Sequence, residues 1–486
     1  MSASATSPAM MTRYAAVLFS DLERHTDAWH RLPREQMVGI LAEYRYLAES
    51  LAGQYGCVYR EWAGDGHMFL FESADAAVRF GLRLIEAWRA ATDSLTALSA
   101  LPHLSLRLGC HFGECTRLEG PEGWIGRGNA IAKRVESEAD SDSLYVTAGV
   151  LDLIDLPLYE FEEVGTLALK GDYLPARTVY RIASFDQAAL AAKPGDELTA
   201  EDWFLRGVSL IGTEREWSDE EADCYREALR LRPNYPEPHV NLAVLLRSRG
   251  DQAEAARHYQ EALRLRPDYP DAHYNYAALL AARGSLAGAE EHYRAALKLR
   301  PDYVDAHQAL ANLLAGRGEI NEALALYRET LRLRPEYADA RVNYAILLER
   351  GGQVEKAMEQ YREALRLRPE DPVAHYNFAL LLEGCDDVAA AEREYREAVR
   401  LWPKYGEAHN NLAVLLQLQG ELEAAEDHYR RALEARPEDP EGHYNYSLLL
   451  RQRGDEAAAE HHLRMARELA PESAVFRSPL ERPAKS

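Results

Sequence analysis

The stretch YREALRLRPNYPEPHVNLAVLLRSRG (225–250) recurs as YQEALRLRPDYPDAHYNYAALLAARG (259–284), with the same residue at most positions. The spacing continues along the chain, because one proline marks each unit at an interval of 34 residues. These prolines are Pro233, Pro267, Pro301, Pro335, Pro369, Pro403, Pro437 and Pro471. A fixed period over this length predicts a row of stacked, structurally equivalent units.

Each unit contains two helical patterns. In one unit, apolar residues at intervals of three and four predict a first helix at His273–Ala282 and a second at Ala287–Leu299. Gly284 ends the first helix, and Pro301 prevents the second from continuing. This pattern resembles the tetratricopeptide repeat (TPR) family. The resemblance covers residues 202–473 and implies an all-α superhelix of eight repeats.

Two polar residues recur at fixed places in the first helix of the repeats. Asparagine occupies one place and histidine stands two residues before it, with one exception in each series. Asparagine amides carry donors and an acceptor, so a row of them can bind the backbone of an extended peptide partner. The alternative is that both residue types bond to neighbouring repeats and only set helix packing, which we favour for the histidines. The asparagines are Asn241, Asn275, Asn343, Asn377, Asn411 and Asn445.

Residues 14–184 lack this repeat and alternate strand-like with helical patterns. YAAVLF (14–19) predicts a strand, residues 34–56 an amphipathic helix, and residues 57–71 a hairpin that turns at Asp65-Gly66. A second helix and a long strand, 103–116, follow. This order predicts an α+β domain.

Two carboxylates in this domain stand where strands end. Asp21 directly follows the first strand, and Asp65 lies at the tip of the hairpin. Carboxylates on adjacent strand ends can hold two Mg²⁺ or Mn²⁺ ions for phosphoryl transfer. The spacing alone equally allows Asp21 to be a helix cap and Asp65 an ordinary turn residue.

Five motifs in this domain resemble the class III adenylate/guanylate cyclase catalytic domain, in the family's order. The resemblance implies a ferredoxin-like fold and a head-to-tail homodimer with two composite sites. It also implies GTP or ATP as substrate, a 3′,5′-cyclic nucleotide and pyrophosphate as products, and two metal ions per site on Asp21 and Asp65. The motifs are FSDLERHTDAWHRLP (19–33), REWAGDGHMFLF (60–71), LRLGCHFGE (106–114), GRGNAIAKRVES (126–137) and VGTLALKGDYLPARTVYRI (164–182).

The same resemblance implies roles for further residues. Arg134 of the second chain would offset charge on the α-phosphate, and Lys170 would bind the terminal phosphates. Glu61 stands at the base-selecting position, where an ionised carboxylate can only accept hydrogen bonds and therefore suits guanine N1–H and N2–H. Gly123 occupies the second selecting position and makes no base contact. The alternative places Arg134 in a helix-surface ion pair, Lys170 in a solvated turn and Glu61 on an exposed hairpin.

The chain departs from the family pattern at three positions. Ala130 stands four residues before Arg134, where the family has a ribose-orienting asparagine, and Asn129 lies one place away. Arg24 and His25 replace the small residues that follow the first metal aspartate. The alternative to an active cyclase is therefore a degenerate domain that senses nucleotide or dimerises within a scaffold.

Composition limits the classes of protein that remain. The net charge of −23 argues against nucleic-acid binding, and no run of apolar residues is long enough to span a membrane. Five scattered cysteines indicate free thiols, and we expect a cytoplasmic protein. The expected segments are a disordered tail (1–13), the cyclase domain (14–184), a linker (185–201), the repeats (202–473) and a second disordered tail (474–486).

Overall fold

The computed structural model describes residues 11–23, 34–63, 66–99, 104–117, 124–125, 127–167 and 176–477. The chain divides into two compact units, residues 1–306 and 307–486. No helix among the described residues has the length and apolar character needed to cross a lipid bilayer.

The first unit begins with an eight-stranded sheet whose main path runs β2-β3-β1-β4-β6-β8-β7, with β5 paired to β4. Only β4 and β6 pair in parallel, and every other pairing is antiparallel. Strand β2 is an edge strand of this sheet. The strands are β1 (Met11–Leu22), β2 (Cys57–Ala63), β3 (Gly66–Phe71), β4 (Leu106–Arg117), β5 (Trp124–Ile125), β6 (Ser143–Thr147), β7 (Tyr159–Leu167) and β8 (Arg177–Phe185).

Helices α1 and α2 connect the first four strands in the order β1-α1-β2-β3-α2-β4. This order, with β1 between β3 and β4, is the ferredoxin-like arrangement. The predicted α+β fold of this domain is therefore confirmed. The helices outside the repeats are α1 (Arg34–Gln54), α2 (Ala74–Ser99), α3 (Arg127–Ser137), α4 (Ala148–Leu151) and α5 (Gln187–Ala192), and a short 3₁₀ turn spans Leu156–Leu158.

Alternation along β1 divides the core into two layers. Ala16 and Leu18 lie in the layer that contains α1 and α2, whereas Ala15 and Val17 face the opposite side of the sheet. Helix α3 packs on that opposite side, against β4. The approach is so close that a Cβ on Gly109 would lie 2.0 Å from the backbone nitrogen of Glu136. Glycine at this position therefore sets the position of α3 on the sheet.

Several predicted boundaries differ from the structure. Strand β1 begins at Met11, so residues 11–13 of the predicted tail belong to the sheet. Gly66, which the sequence predicted in the hairpin turn, already lies in β3, opposite Ala63 of β2. The predicted linker contains α5, because Asp186 caps that helix by accepting from the Ala189 amide.

The repeats of the first unit consist of paired helices in which each helix packs on the next. Helix α6 begins at Ala200, two residues before the predicted start, because Thr199 and Asp202 form a capping box. The helices are α6 (Ala200–Val208), α7 (Asp219–Leu231), α8 (Pro236–Ser248), α9 (Gln252–Leu265), α10 (Pro270–Ala282) and α11 (Leu286–Leu299), and α12 (Val304–Gly316) follows across the unit boundary.

The second unit continues the same alternation of helices, which confirms the predicted all-α repeat array. A glycine with positive φ ends the first helix in most repeats, and Asp386 takes the same left-handed conformation in its repeat, with φ of 62°. The last short helix, Ala474–Arg477, lies in the predicted C-terminal tail, and Phe476 is buried. The other helices are α13 (Ile320–Leu333), α14 (Ala338–Arg350), α15 (Val354–Leu367), α16 (Pro372–Gly384), α17 (Val388–Leu401), α18 (Gly406–Gln419), α19 (Leu422–Ala435), α20 (Pro440–Gln452) and α21 (Glu456–Leu469).

Candidate active site

Asp21 lies near the end of β1, next to the end of the β2-β3 hairpin where Ala63 pairs with Gly66. The strand register pairs Asp21 with Gly66 on one side and with Arg107 on the other. A Cβ added to Gly66 would lie 2.7 Å from the Ser20 carbonyl oxygen and 3.5 Å from Asp21 Oδ1. Asp65 lies outside the described residues, but it directly precedes Gly66 in the chain. The fold therefore brings the hairpin end to the Asp21 carboxylate.

Arg107 holds one side of the Asp21 carboxylate. Its Nη2 donates to Asp21 Oδ2 over 2.6 Å. Burial by itself lowers the pKa of Arg107, but the hydrogen bond to Asp21 and the charges of nearby carboxylates outweigh it and raise that pKa. Arg107 therefore stays charged, and Oδ2 of Asp21 has a fixed donor.

A second carboxylate, Glu136 on α3, stands beside this pair. Its side chain is 1% exposed, with Lys133 Nζ 2.7 Å from Oε2 and Arg107 Nη2 3.8 Å from Oε1. Burial raises the pKa of Glu136, and the neighbouring Lys133 opposes that shift. Lys133 Nζ also lies 5.7 Å from the ring centre of Phe19. Two carboxylates and two cations thus converge at the end of β1.

The donor atoms at this end of the sheet fit a divalent cation of the Mg²⁺ or Mn²⁺ type. Asp21 Oδ1 receives no hydrogen bond from the described residues, and it lies beside Gly66, 3.5 Å from where a Cβ on that residue would stand. Carboxylate oxygen is the ligand these ions prefer, and Mg²⁺ commonly uses one or two carboxylates together with substrate phosphates. Among the described residues, no three acidic, histidine or cysteine side chains form a metal-binding group by themselves.

Glu61 lies on β2, opposite Met68 of β3. The hydroxyl of Tyr59, two residues earlier, donates to Glu61 Oε2 over 3.0 Å. No other hydrogen bond to Glu61 comes from the described residues, so Oε1 can accept from a ligand. Gly123 and Lys170 lie outside the described residues.

Asn129 points into the domain from the start of α3. Its amide donates to the Trp124 carbonyl oxygen over 2.6 Å and contacts Met68 Sδ at 3.2 Å, while its oxygen accepts from Cys115 Sγ at 3.4 Å. Ala130, which holds the family's asparagine position, is exposed. The structure therefore brings Asn129 to the strand pair that carries Glu61, with its amide already bonded.

Arg134 is half-buried on α3 and forms an ion pair with Glu138, one turn later, at 2.5 Å. Its backbone carbonyl accepts from the Ser137 hydroxyl. This is the helix-surface pairing that the sequence left open. The structure does not bring Arg134 and Asp21 of the same chain into contact.

The asparagine series in the repeats binds within the chain in several different ways. Asn275 and Asn377 donate to the backbone carbonyl four residues earlier in their own helices, at 2.9 and 2.8 Å. Asn411 donates to the Tyr395 hydroxyl, and Asn445 to the Asn410 oxygen. Asn241 differs, because it donates to the carbonyl of Gln54, the last residue of α1. One member of the series therefore contacts the cyclase domain.

The histidine series sets packing inside each repeat. His239 Nδ1 lies 2.8 Å from Nδ1 of His258 in the second helix, and its Nε2 faces the Pro233 carbonyl. The same arrangement recurs at His273, His409 and His443, with partners His292, His428 and His462. It also recurs at His375, where the partner is Glu394.

Arg107 and Glu136 were not singled out from the sequence. The sequence did offer an indication of both, because Arg107 lies in the motif LRLGCHFGE and Glu136 lies near the end of the motif GRGNAIAKRVES. Only the register of β1 against β4 shows that Arg107 faces Asp21, and only the packing of α3 brings Glu136 to the same place.

Family models match both parts of the chain. Residues 9–183 match the adenylate and guanylate cyclase catalytic domain. Tetratricopeptide repeat models match residues 244–282, 270–313, 309–372, 376–440 and 419–474.

Two curated proteins are similar over short stretches. A probable biofilm formation methyltransferase, WspC of Pseudomonas aeruginosa, is 36% identical over 101 residues, which is 21% of each chain. The peroxisomal targeting signal receptor of Candida glabrata is 40% identical over 72 residues, 15% of this chain and 11% of the receptor. The chain thus spans only about a fifth and a tenth of the lengths of these relatives.

Solved structures resemble each part separately. The adenylyl cyclase CyaB from P. aeruginosa aligns at 22% identity over 36% of this chain and 96% of its own, with a TM-score of 0.35. The catalytic core of a rhodopsin-guanylyl cyclase aligns at 19% identity over 36% and 99%, with a TM-score of 0.31. The repeat protein YrrB aligns at 21% identity over 38% and 95%, with a TM-score of 0.33. The chain therefore combines an N-terminal domain of the adenylate and guanylate cyclase catalytic type, at residues 9–183, with an array of tetratricopeptide repeats that the family models match within residues 244–474.

Proposed function

We propose that the chain is a purine nucleotide cyclase that converts GTP, in preference to ATP, to the 3′,5′-cyclic monophosphate and pyrophosphate. The observation that carries this proposal is the position of Asp21: its Oδ1, which receives no hydrogen bond from the described residues, lies beside Gly66, the residue that follows Asp65 in the sequence. A carboxylate pair at this end of the sheet suits phosphoryl transfer, because such reactions depend on positioning and charge neutralisation.

Asp21 and Asp65 would hold two Mg²⁺ or Mn²⁺ ions, which when bound supply Lewis-acid stabilisation of the triphosphate. Arg107 keeps the Asp21 carboxylate in one orientation, so that Oδ1 is directed away from the β1-β4 ladder. Lys170 would bind the terminal phosphates, where an ammonium provides a compact positive charge. The nucleotide would thus lie across the end of β1.

Arg134 is proposed to act across a homodimer interface. Within one chain its contacts are with Glu138 and Ser137 of its own helix, so a second copy must bring it to the Asp21 site. Its guanidinium, planar and permanently charged, would offset charge on the α-phosphate in the transition state. A monomer would therefore lack a residue that the reaction needs.

Glu61 is proposed to select guanine. Tyr59 donates to Oε2, which fixes the carboxylate and leaves Oε1 to accept from the base. Guanine presents N1–H and N2–H, whereas adenine presents an unprotonated N1 at the same edge, so an acceptor favours guanine. Gly123 would leave this choice to Glu61 alone.

The experiment that tests the proposal is a turnover assay on the full-length protein, with Mn²⁺ or Mg²⁺ and with ATP or GTP, followed by chromatographic separation of the cyclic products. We expect cyclic GMP as the main product. Cyclic AMP as the main product would keep the mechanism and reject the role of Glu61. A folded dimer that forms neither product would reject the cyclase proposal.

One observation favours a second function, a nucleotide-sensing scaffold. Asn129 donates its amide to Trp124 and contacts Met68, and Ala130 has no polar side chain to replace it at the ribose. In that case the chain binds a nucleoside triphosphate without turnover. A fluorescent GTP analogue tests this function in a protein that forms no cyclic product. Binding of the analogue would support a nucleotide-sensing scaffold, whereas no binding would mean that the site is lost.

The remaining parts of the proposal concern the partner and the location of the protein. We propose that the repeats bind a protein partner and that asparagines such as Asn343 and Asn377 contribute to that surface. Each amide retains donor or acceptor capacity beyond the single intrachain bond described for Asn377.

Five free cysteines and a nucleoside triphosphate substrate fit a cytoplasmic location.

A further inference from the structure

Ion pairs connect the cyclase domain to equivalent positions of two successive repeats. Asp268 and Asp302, each the residue after a repeat proline, lie 34 positions apart. Asp268 lies 3.5 Å from an Nη of Arg13 on β1, and Asp302 lies 2.9 Å from Arg45 on α1. Equivalent aspartates of two successive repeats thus each pair with an arginine of the N-terminal domain.

Asp271, at the start of α10, connects the two parts most closely. Its Oδ1 accepts from Arg300 Nη2 at 3.1 Å and from the Tyr303 hydroxyl at 3.0 Å. An equivalent acid-arginine pair recurs in other repeats, at Glu237–Arg266, Asp339–Arg368 and Glu407–Arg436. Asp271 has one additional partner, because Arg60 Nη2 of strand β2 donates to the same oxygen over 2.9 Å.

Arg60 lies directly before Glu61 on β2. Its side chain is only 8% exposed, and its Nη1 donates to the Glu49 carbonyl of α1. Burial alone would lower the pKa of Arg60, but the Asp271 carboxylate raises it, so the guanidinium remains charged. Among the described residues β2 pairs in the sheet only with β3, and Arg60 adds side-chain contacts to α1 and to Asp271 that further restrain the strand.

Residues of β2 and of the repeats also line one cavity of about 280 Å³. The strand contributes Tyr59, Arg60 and Glu61, and the repeats contribute Asp268, Asp271 and Arg300. The arginine of the repeat pair and the proposed base-selecting carboxylate therefore face the same space.

We propose that Asp271 is a positioning residue for base selection: through Arg60 it fixes strand β2, so that the first repeats set the preference of the nucleotide site for guanine. The inference rests on the proposed function of Glu61 and extends it to a residue of the repeats. A bound partner that loosened these repeats would change nucleotide preference before it changed the rate of the chemical step.

The test compares Asp271→Asn with Asp339→Asn in the full chain. Each variant removes the acid of a repeat-internal arginine pair, but only Asp271 also holds Arg60. We expect Asp271→Asn to raise the KM for GTP about fivefold, the lower range of coupling between distant sites, with kcat and the KM for ATP nearly unchanged. Asp339→Asn should behave as wild type. Equal effects of the two variants, or an unchanged ratio of kcat/KM for GTP to kcat/KM for ATP, would overturn the inference.

Amide hydrogen exchange provides a readout that does not depend on turnover. Residues 57–63 should exchange faster in Asp271→Asn than in Asp339→Asn, while strand β6 stays protected in both. If Asp271→Asn does not fold, Arg60→Lys replaces it, since the ammonium keeps the charge but cannot reach both Asp271 and the Glu49 carbonyl. Wild-type exchange of 57–63 in the folded variant would contradict a restraint from the repeats.

The same samples separate failure of this inference from failure of the proposed function. Wild-type protein without cyclase activity rejects the proposed function, and the Kd values of fluorescent GTP and ATP analogues then decide the positioning role. A loss of GTP preference in binding by Asp271→Asn alone supports that role. Unchanged preference, or no binding of either analogue to wild type, overturns it.

Discussion

Asp21 on β1 and Arg107 on β4 are directly paired in the sheet register, and Arg107 Nη2 donates to Asp21 Oδ2 over 2.6 Å. The pair fixes one carboxylate oxygen and leaves the other directed at the hairpin end. In metal sites, replacing a partner that orients a ligand in this way typically lowers metal affinity or activity by about 10- to 100-fold.

We therefore expect Arg107→Met to raise the Mn²⁺ concentration for half-maximal turnover by about 10- to 100-fold. The lost orientation of Asp21 should outweigh the removed repulsion, because Asp21 and Glu136 already neutralise this guanidinium. Metal titration of turnover provides the measurement. Asp21→Ala and Asp65→Ala, as reference variants, should abolish turnover without lowering the melting temperature of the domain; full activity in either would reject its role as a ligand.

Arg134 and Glu138 give a matched pair of variants, because they share one ion pair. Arg134→Ala should lower kcat by about 100-fold or more, the effect of removing one group that stabilises transition-state charge. Glu138→Gln breaks the same pair but keeps the guanidinium, so its kcat should stay within about twofold of wild type, as expected for a half-exposed pair. Equal losses in both variants would mean that Arg134 serves only the helix surface.

Glu61→Lys should shift the preference of the enzyme toward ATP. The ammonium is a donor, which suits the unprotonated N1 of adenine and repels the N–H groups of guanine. The ratio of kcat/KM for GTP and ATP should change by about tenfold or more, since a buried polar group that lacks its partner discriminates strongly. An unchanged ratio would remove Glu61 from base recognition.

The histidine pairs make the stability of the repeats depend on pH. Burial lowers the pKa of His428 to about 4, with His409 a further cause, and burial also lowers the pKa of His409. The unfolded chain, with histidine pKa near 6.5, binds more protons between these values, so the free energy of unfolding falls as pH drops from about 6.5 to 4.

The chain itself suggests the control for this effect. At His375 the partner is Glu394, and hydrogen bonding to this carboxylate raises the pKa of His375 despite its burial. His428→Glu should therefore raise the pKa of His409 instead of lowering it, since the protonated imidazolium gains a carboxylate partner. We expect the variant to melt about 3 °C or more above wild type at pH 5 and to lose that advantage near pH 8. Parallel pH profiles for the two proteins would contradict the assignment.

Gly109 and Gly149 provide a test of how α3 is placed. A Cβ on Gly109 would lie 2.0 Å from Glu136 N, whereas one on Gly149 would have no atom within 4 Å. Gly109→Ala should destabilise the cyclase domain by about 1–3 kcal/mol, because α3 must move away from β4. Gly149→Ala, inside a short helix, should be neutral or slightly stabilising. Calorimetric melting of both variants measures the two effects. Equal stabilities would argue against the close contact between α3 and Gly109.

Local patterns in the sequence predicted the elements and the repeat, because both depend on short-range periodicity. The helix at residues 34–54, the strand that contains Asp21 and the paired helices of each repeat all follow from such patterns. Local pattern also predicted that Asp21 follows a strand and that Asp65 lies at a tight turn, but only the register of β1 against β3 shows that Asp21 lies next to the hairpin.

Long-range register was the part that the sequence did not reveal. Arg107 lies 86 positions from Asp21, and Arg60 lies 211 positions from Asp271, so nothing local indicates either pair. The recurrent asparagines showed the same limit. Asn241 and Asn275 occupy the same place in their repeats, but Asn241 donates to α1 and Asn275 to its own helix. The neighbouring residues therefore decide the hydrogen-bond partner, and the repeat period does not.

The match between Asp268 and Asp302 on one side and Arg13 and Arg45 on the other has a consequence for how such a chain can change in length. Deleting one repeat of 34 residues before Asp268 would bring Asp302 and Glu336 into the places of Asp268 and Asp302, so an acid would still face each arginine. Inserting a copy of residues 219–252 after residue 252 would instead bring Asn234 into the place of Asp268, and the pair with Arg13 would be lost. These two positions therefore limit which repeats can be duplicated at the beginning of the array.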